Sequence, residues 1–316
     1  MTTIPMILWF EEVGRNDALL VGGKGASLGE MYCNLHQSGV EVPNGFNVSV
    51  EAYREFVETV VPEGTWEQVI EIEGLESLRE QAIASDTLSQ AVEICLDGAD
   101  SRMHLEMYGR ASLARELVLS TPIPESIARA ISQAYLELSS EYGKGVDVAV
   151  RSSATTEDSE DASFAGQYES FLNVHGESAV ILHWRKCIAS QFTERAICYT
   201  LENGMDPLDS PLAVVIMKMV RSDLACSGVM FSIDPDSGHD GVVHIASSYG
   251  LGELIVQGSV SPDTFTIWKE GILRGAFAVV HRHLGSKEQR MIYASDGVRT
   301  ITTVDVPFTE RRAWTL

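Results

Sequence analysis

The sequence predicts an α+β protein, with α/β layers around more than one sheet. Three observations carry that expectation. Apolar residues at helical spacing dominate the first two-thirds of the 316 residues. Short apolar or alternating runs, the mark of strands, dominate the last third. Apolar residues make up 45% and charged residues 22%, the balance of an ordinary soluble globular chain. At roughly 150 residues per domain the length suits about two domains. The expected division is 1–211, with a helical insertion, and 212–316, a smaller sheet-rich part.

Taken in order, residues 6–10 form an apolar strand, and a turn-rich stretch runs to Gly23. A helix is expected from about Ala26, with Leu28, Met31 and Leu35 at helical spacing. Residues 42–46, Val-Pro-Asn-Gly-Phe, are extended and end in a turn. Ser49 suits the N-cap of a helix whose buried stripe would be Val50, Tyr53, Phe56, Val57 and Val60. Residues 65–140 read as mostly helical and acidic. The clearest helix there follows Pro124 and puts Ile127, Ile131, Ala134, Tyr135 and Leu138 on one face. Residues 148–150 are a strand, followed by a small-residue loop to Gln167, a strand at 170–174 and one long helix over 177–199. Strands then follow at 214–220, 228–232, 242–247, 265–268 and 276–281, with Lys269-Glu270-Gly271 as a hairpin turn.

Composition excludes several function classes. No apolar run approaches the roughly 18 residues of a membrane span, and no basic segment precedes the first apolar stretch as in a signal peptide. The five cysteines form no C-x-x-C pair, which argues against zinc and for reduced thiols in a cytoplasmic protein. Lys and Arg number 23 against 45 Asp and Glu, a net charge of −22. Such a field repels nucleic acid and anionic membranes. It leaves room for a small phosphate ligand held by a few well-placed donors.

Four motifs bear on chemistry. Gly22-Gly23-Lys24-Gly25 opens a helix, so backbone N–H groups, the helix N-terminus and the Lys24 ammonium converge as an anion site. It is not a P-loop, because Gly25 stands where Ser or Thr would hold magnesium. Gly25-Ala26-Ser27-Leu28-Gly29 matches a nucleophile elbow, but after a single strand it reads as a small-residue helix start. Next, Arg151 closes a strand ahead of Ser152-Ser153-Ala154-Thr155 and a loop ending Ala165-Gly166-Gln167. There the guanidinium is either a forked phosphate donor or a partner of Glu157 or Asp158. Asp234-Pro235-Asp236-Ser237-Gly238 lacks the glycine and glutamate positions of a calcium loop and reads as a turn. Gly250-Leu251-Gly252-Glu253 offers backbone donors and a carboxylate, or plain turn chemistry. His281 and His283 share a strand face without a third metal ligand.

In this order the motifs closely resemble one family. With Ser163-Phe164-Ala165-Gly166-Gln167, Met219-Val220-Arg221-Ser222-Asp223-Leu224 and Ser227-Gly228-Val229-Met230-Phe231-Ser232, the chain is similar to the N-terminal nucleotide-binding region of the phosphoenolpyruvate synthase and pyruvate phosphate dikinase family. Rifampicin phosphotransferase belongs there too. Arg221-Ser222-Asp223-Leu224 and Leu284-Gly285-Ser286-Lys287 favour the synthase branch.

The resemblance implies an ATP-grasp-like fold, incomplete at its C-terminal end, with ATP between two subdomains. Lys24 and Arg151 would hold the phosphates and serve catalysis. Arg115 would be a further phosphate contact, and Gly166 and Gln167 would lie in the covering loop. Lys218, Met219 and Val220 would meet adenine through backbone groups, and Glu253 would lie near the ribose. Met217 stands where the family usually has glutamine.

The implied reaction passes the β-phosphoryl group of ATP to a histidine on another domain, and thence to pyruvate. The Mg2+ ligands are expected in the missing C-terminal segment of that fold, and the phosphohistidine and pyruvate-binding domains in cis or trans. Alternatives are a subunit of a split relative such as phenylphosphate synthase, or a non-catalytic nucleotide- or partner-binding protein.

Overall fold

The computed structural model describes residues 4–35, 38–99, 103–155, 158–159, 162–163, 168–294 and 300–316. The chain forms two compact units, Met1–Met219 and Val220–Leu316, each mixing helices with antiparallel sheet.

The first unit is built on β1 (Ile7–Trp9), β2 (Gly45–Val48), β3 (Val148–Ala154), the short pair β4 (Asp158–Ser159) and β5 (Ala162–Ser163), β6 (Ser170–Val174) and β7 (Leu212–Lys218). The main sheet runs β1-β2-β7-β3-β6, with every neighbouring pair antiparallel. Its helices are α1 (Ala18–Leu35), α2 (Val50–Val57), α3 (Glu76–Ile83), α4 (Leu88–Leu96), α5 (His104–Ser120), α6 (Glu125–Tyr142), α7 (Glu177–Ala189) and α8 (Glu194–Glu202).

Alternation along the strands sorts the two faces. Leu212, Val214 and Ile216 of β7 and Val148, Val150 and Ala154 of β3 enter one large core with Phe56, Ile131, Val180, Trp184 and Ile188. The other face carries Ala149, Arg151 and Ser153, and Ser153 meets α1. Because β7 is covered on both sides, it reads as an unbroken apolar run. That run had been expected to open the second part of the chain. It is instead the middle strand of the first unit, so the boundary falls after Met219 and not before Leu212.

Several local expectations need correction. Ser49 does cap α2, its hydroxyl accepting from the Glu51 N–H at 3.4 Å. But α2 stops at Val57 and leaves Val60 72% exposed. The helix after Pro124 buries all five expected residues. The helix expected over 177–199 breaks after Ala189, where Gln191 and Phe192 plug into the interior and Thr193 caps α8. Helix α1 starts at Ala18 and is interrupted at Gly22, so the glycine run lies inside a kinked helix and not in a strand-to-helix turn.

The second unit holds β8 (Cys226–Phe231), β9 (Val242–Tyr249), α9 (Glu253–Val256), β10 (Asp263–Trp268), α10 (Lys269–Leu273), β11 (Val279–His283), β12 (Gln289–Tyr293), β13 (Ile301–Asp305) and α11 (Phe308–Arg311). The sheet order is β11-β10-β9-β8, with β12 and β13 as a separate hairpin. Lys269-Glu270-Gly271 begins α10 and is not a hairpin turn. Strand β10 begins at a buried ion pair: Asp263 accepts from the Lys287 ammonium, from the Gly285 N–H at 2.8 Å, and from Thr315 through N–H and hydroxyl at 2.9 and 3.0 Å.

Candidate functional site

The site grows from the contact of α1 with β3. Gly22 has φ 72° and ψ 167°, a region essentially closed to other residues. A Cβ there would lie 2.2 Å from the Ser153 carbonyl oxygen. The missing side chain is what lets the broken helix press on the strand. The next turn is anchored by the Gly25 N–H, which donates to Ser153 Oγ at 3.1 Å. Gly25 in turn lies against Asn47 of β2, where a Cβ would come 2.3 Å from Oδ1. Asn47 is fully buried, and that oxygen has no hydrogen-bond partner among the described residues.

This packing sets the donors. The Lys24 ammonium donates to the Ser152 carbonyl at 3.2 Å. Arg151 is mid-strand, between Val215 of β7 and Ser170 of β6, rather than at the end of β3. It is partly buried, and its side chain makes no hydrogen bond or ion pair with any described residue. The alternative partners, Glu157 and the Asp158 side chain, lie outside what the structure describes.

Arg115 reaches the same strand from the other face. Its guanidinium pairs with Glu169 at 3.2 Å, and the Glu169 carbonyl accepts from Ser152 Oγ at 3.2 Å. Beneath them the buried Cys187 thiol donates to the Val150 carbonyl at 3.7 Å. Burial pushes its pKa up; the Glu169 carboxylate adds to this and Lys24 opposes it, so Cys187 stays a protonated packing residue. A cavity of about 440 Å³ borders the first turn after Gly22 and is lined by Arg15, Gly23, Ala26, Ser27, Glu30 and Thr155.

Further along the sheet, Met217 lies between Ala149 of β3 and Gly45 of β2. Small neighbours on both sides leave a low floor on the Arg151 face. The Lys218 N–H donates to the Asn44 carbonyl and the Met219 N–H to the Asp147 carbonyl, both at 3.0 Å. Those two N–H groups are therefore committed to the protein. Glu253 belongs to the second unit, at the first position of α9, with its carboxylate accepting from Gln257 at 3.4 Å. Gly166 and Gln167 lie outside the described residues. No group of three or more His, Cys, Asp or Glu among the described residues is placed to hold a metal.

The model of the pyruvate phosphate dikinase AMP/ATP-binding domain matches residues 18–316. The chain belongs to this family. Among its relatives is the phosphoenolpyruvate synthase of Synechocystis sp., 43% identical over 314 residues, covering 98% of this chain and 35% of the relative. That of Escherichia coli (strain K12) is 40% identical over 314 residues, covering 99% and 36%. A probable phosphoenolpyruvate synthase of Pyrococcus horikoshii is 38% identical over 293 residues, covering 90% and 34%. The chain thus spans about a third of the length of these relatives. No described helix is long and apolar enough to cross a membrane.

Sequence reasoning singled out Lys24 and Arg151 as phosphate donors; Lys24 of α1 meets β3 at Ser152, next to Arg151, and Arg115 reaches β3 through Glu169. It missed Asn47, Asp147 and Glu169. Only Asn47 left a signal, as an amide inside the otherwise apolar strand Gly45–Val48.

Proposed function

We propose that this chain is the ATP-binding part of a phosphoenolpyruvate synthase-type phosphotransferase, its two units being the halves of an ATP-grasp-like fold. The observation that carries this reading is Arg151: a partly buried guanidinium with no described partner, one residue from the carbonyl that holds Lys24. Lys24 and Arg151 bind and orient the polyphosphate, and their charge-assisted bonds strengthen as charge spreads over the oxygens in transfer. Arg115, held by Glu169, and the 164–167 loop with Gly166 and Gln167 supplement them. The base meets Lys218-Met219-Val220, and Glu253 serves the ribose.

The full reaction would convert ATP, pyruvate and water to AMP, phosphoenolpyruvate and phosphate through a phosphohistidine. The histidine, the pyruvate site and the ligands of Mg2+ would be supplied by further domains, in cis or trans. Five cysteines without a disulfide suit a reducing, cytoplasmic setting.

Photolabelling with 8-azido-ATP tests the placement. Label that ATP competes away should map to the peptide containing Met219. Competable label confined to other peptides would refute the assignment.

A further inference from the structure

Of the six backbone groups of Lys218-Met219-Val220, four are bonded within the protein and two are open among the described residues. The Met219 N–H donates to the Asp147 carbonyl at 3.0 Å. The Met219 carbonyl accepts from the Lys218 ammonium at 2.7 Å. That ammonium also donates to Asp147 Oδ1 at 2.5 Å, the two side chains being 18% and 15% exposed. Asp147 therefore grips Met219 twice, at its N–H through a backbone carbonyl and at its carbonyl through Lys218.

On the other edge, the ladder partner of the Lys218 carbonyl would be the Asn44 N–H. That N–H is donated to Tyr142 Oη at 2.9 Å instead. The Lys218 carbonyl and the Val220 N–H have no hydrogen-bond partner among the described residues. Residues two apart in an extended segment present backbone groups on the same edge. One acceptor and one donor so spaced suit adenine, which offers an N6 amino donor beside the N1 acceptor. Guanine presents O6 as an acceptor and N1–H as a donor, which sets like groups against like.

We infer that Asp147 is a positioning residue that sets selectivity for adenine over guanine, by keeping the Lys218 ammonium on the Met219 carbonyl. The inference rests on the reading of this chain as an ATP-binding domain. Released from Asp147, the ammonium becomes a donor that guanine O6 accepts and the adenine N6 amino group does not.

The test titrates the wild-type chain and Asp147→Asn in parallel with ATP, GTP and inorganic tripolyphosphate. The substitution should weaken ATP about tenfold, a hydrogen bond's worth at a charged group, and lower the ATP-to-GTP preference by at least that factor. Tripolyphosphate affinity should stay within about twofold, because Lys24 and Arg151 are untouched. Lys218→Met reads the same clamp from its other end, with ATP weakened and no gain for GTP, and serves if Asp147→Asn does not fold. Equal changes for ATP and GTP in Asp147→Asn, or unchanged ATP affinity in Lys218→Met, overturn the inference. A wild type that binds tripolyphosphate without preferring ATP to GTP overturns it too and leaves the phosphate site standing. A folded wild type that binds neither ATP nor tripolyphosphate overturns the ATP-binding reading itself.

Discussion

Two lysines in this chain follow the same short pattern and end in opposite states. Gly22-Gly23-Lys24 lies in the first unit and Gly285-Ser286-Lys287 in the second. In each, the glycine is pressed onto a backbone carbonyl: a Cβ would lie 2.2 Å from the Ser153 oxygen at Gly22 and 2.2 Å from the Ser261 oxygen at Gly285. Lys287 is fully buried, with Asp263 and the Gly285 carbonyl as partners. Lys24 stays partly exposed and donates to the neutral Ser152 carbonyl. The surroundings of the ammonium, not the motif, decide its use. Sealed against a carboxylate it fixes a fold; left partly exposed beside an arginine whose side chain has no partner among the described residues it can meet an anion.

The sharpest way to break the comparison is to remove the sealed partner. Asp263→Ala strands a fully buried ammonium and should cost about 3–5 kcal/mol of stability, seen in denaturant unfolding as early loss of the second unit. A cost under about 1 kcal/mol would mean that Lys287 reaches water and that the two lysines are not so different.

Gly22→Ala comes next. Both its φ and the clash with Ser153 oppose a side chain, so a loss of about 3 kcal/mol is expected, read as a lower midpoint for the first unit. An unchanged midpoint would show that α1 does not depend on the break at Gly22. Arg151→Ala should leave unfolding nearly unchanged while weakening ATP by about 1.5–3 kcal/mol; lost stability with intact ATP affinity would make Arg151 a structural charge like Lys287. The smallest effect belongs to Ser27→Ala on the exposed side of α1, within about 0.5 kcal/mol in both stability and ATP binding. A large loss of ATP affinity there would move the ligand to the cavity lined by Arg15, Ser27 and Glu30.

Much of this was legible in the sequence because the signals are local. The helix after Pro124 and the Ser49 cap follow from spacing and one hydroxyl, and the anion motif at Lys24 from adjacent residues. The misses are non-local. The unbroken run 212–216 says that a strand is covered on both faces, but not which sheet it joins, so the boundary was put before it and not after Met219. The break at Ala189 depends on where Gln191 and Phe192 find space, which periodicity over 177–199 does not register. Asp147 and Glu169 act through partners 71 and 54 residues away. Their positions become meaningful only once β3 lies between β7 and β6.

The most direct test of the central claim is calorimetric titration of the chain and of Lys24→Ala with ATP, with and without magnesium. The account predicts saturable binding to the wild type and a loss of about 1.5–3 kcal/mol in the variant, with the unfolding midpoint unchanged. Equal affinity in the two proteins would contradict it, since the ammonium beside Ser152 would then not be holding phosphate.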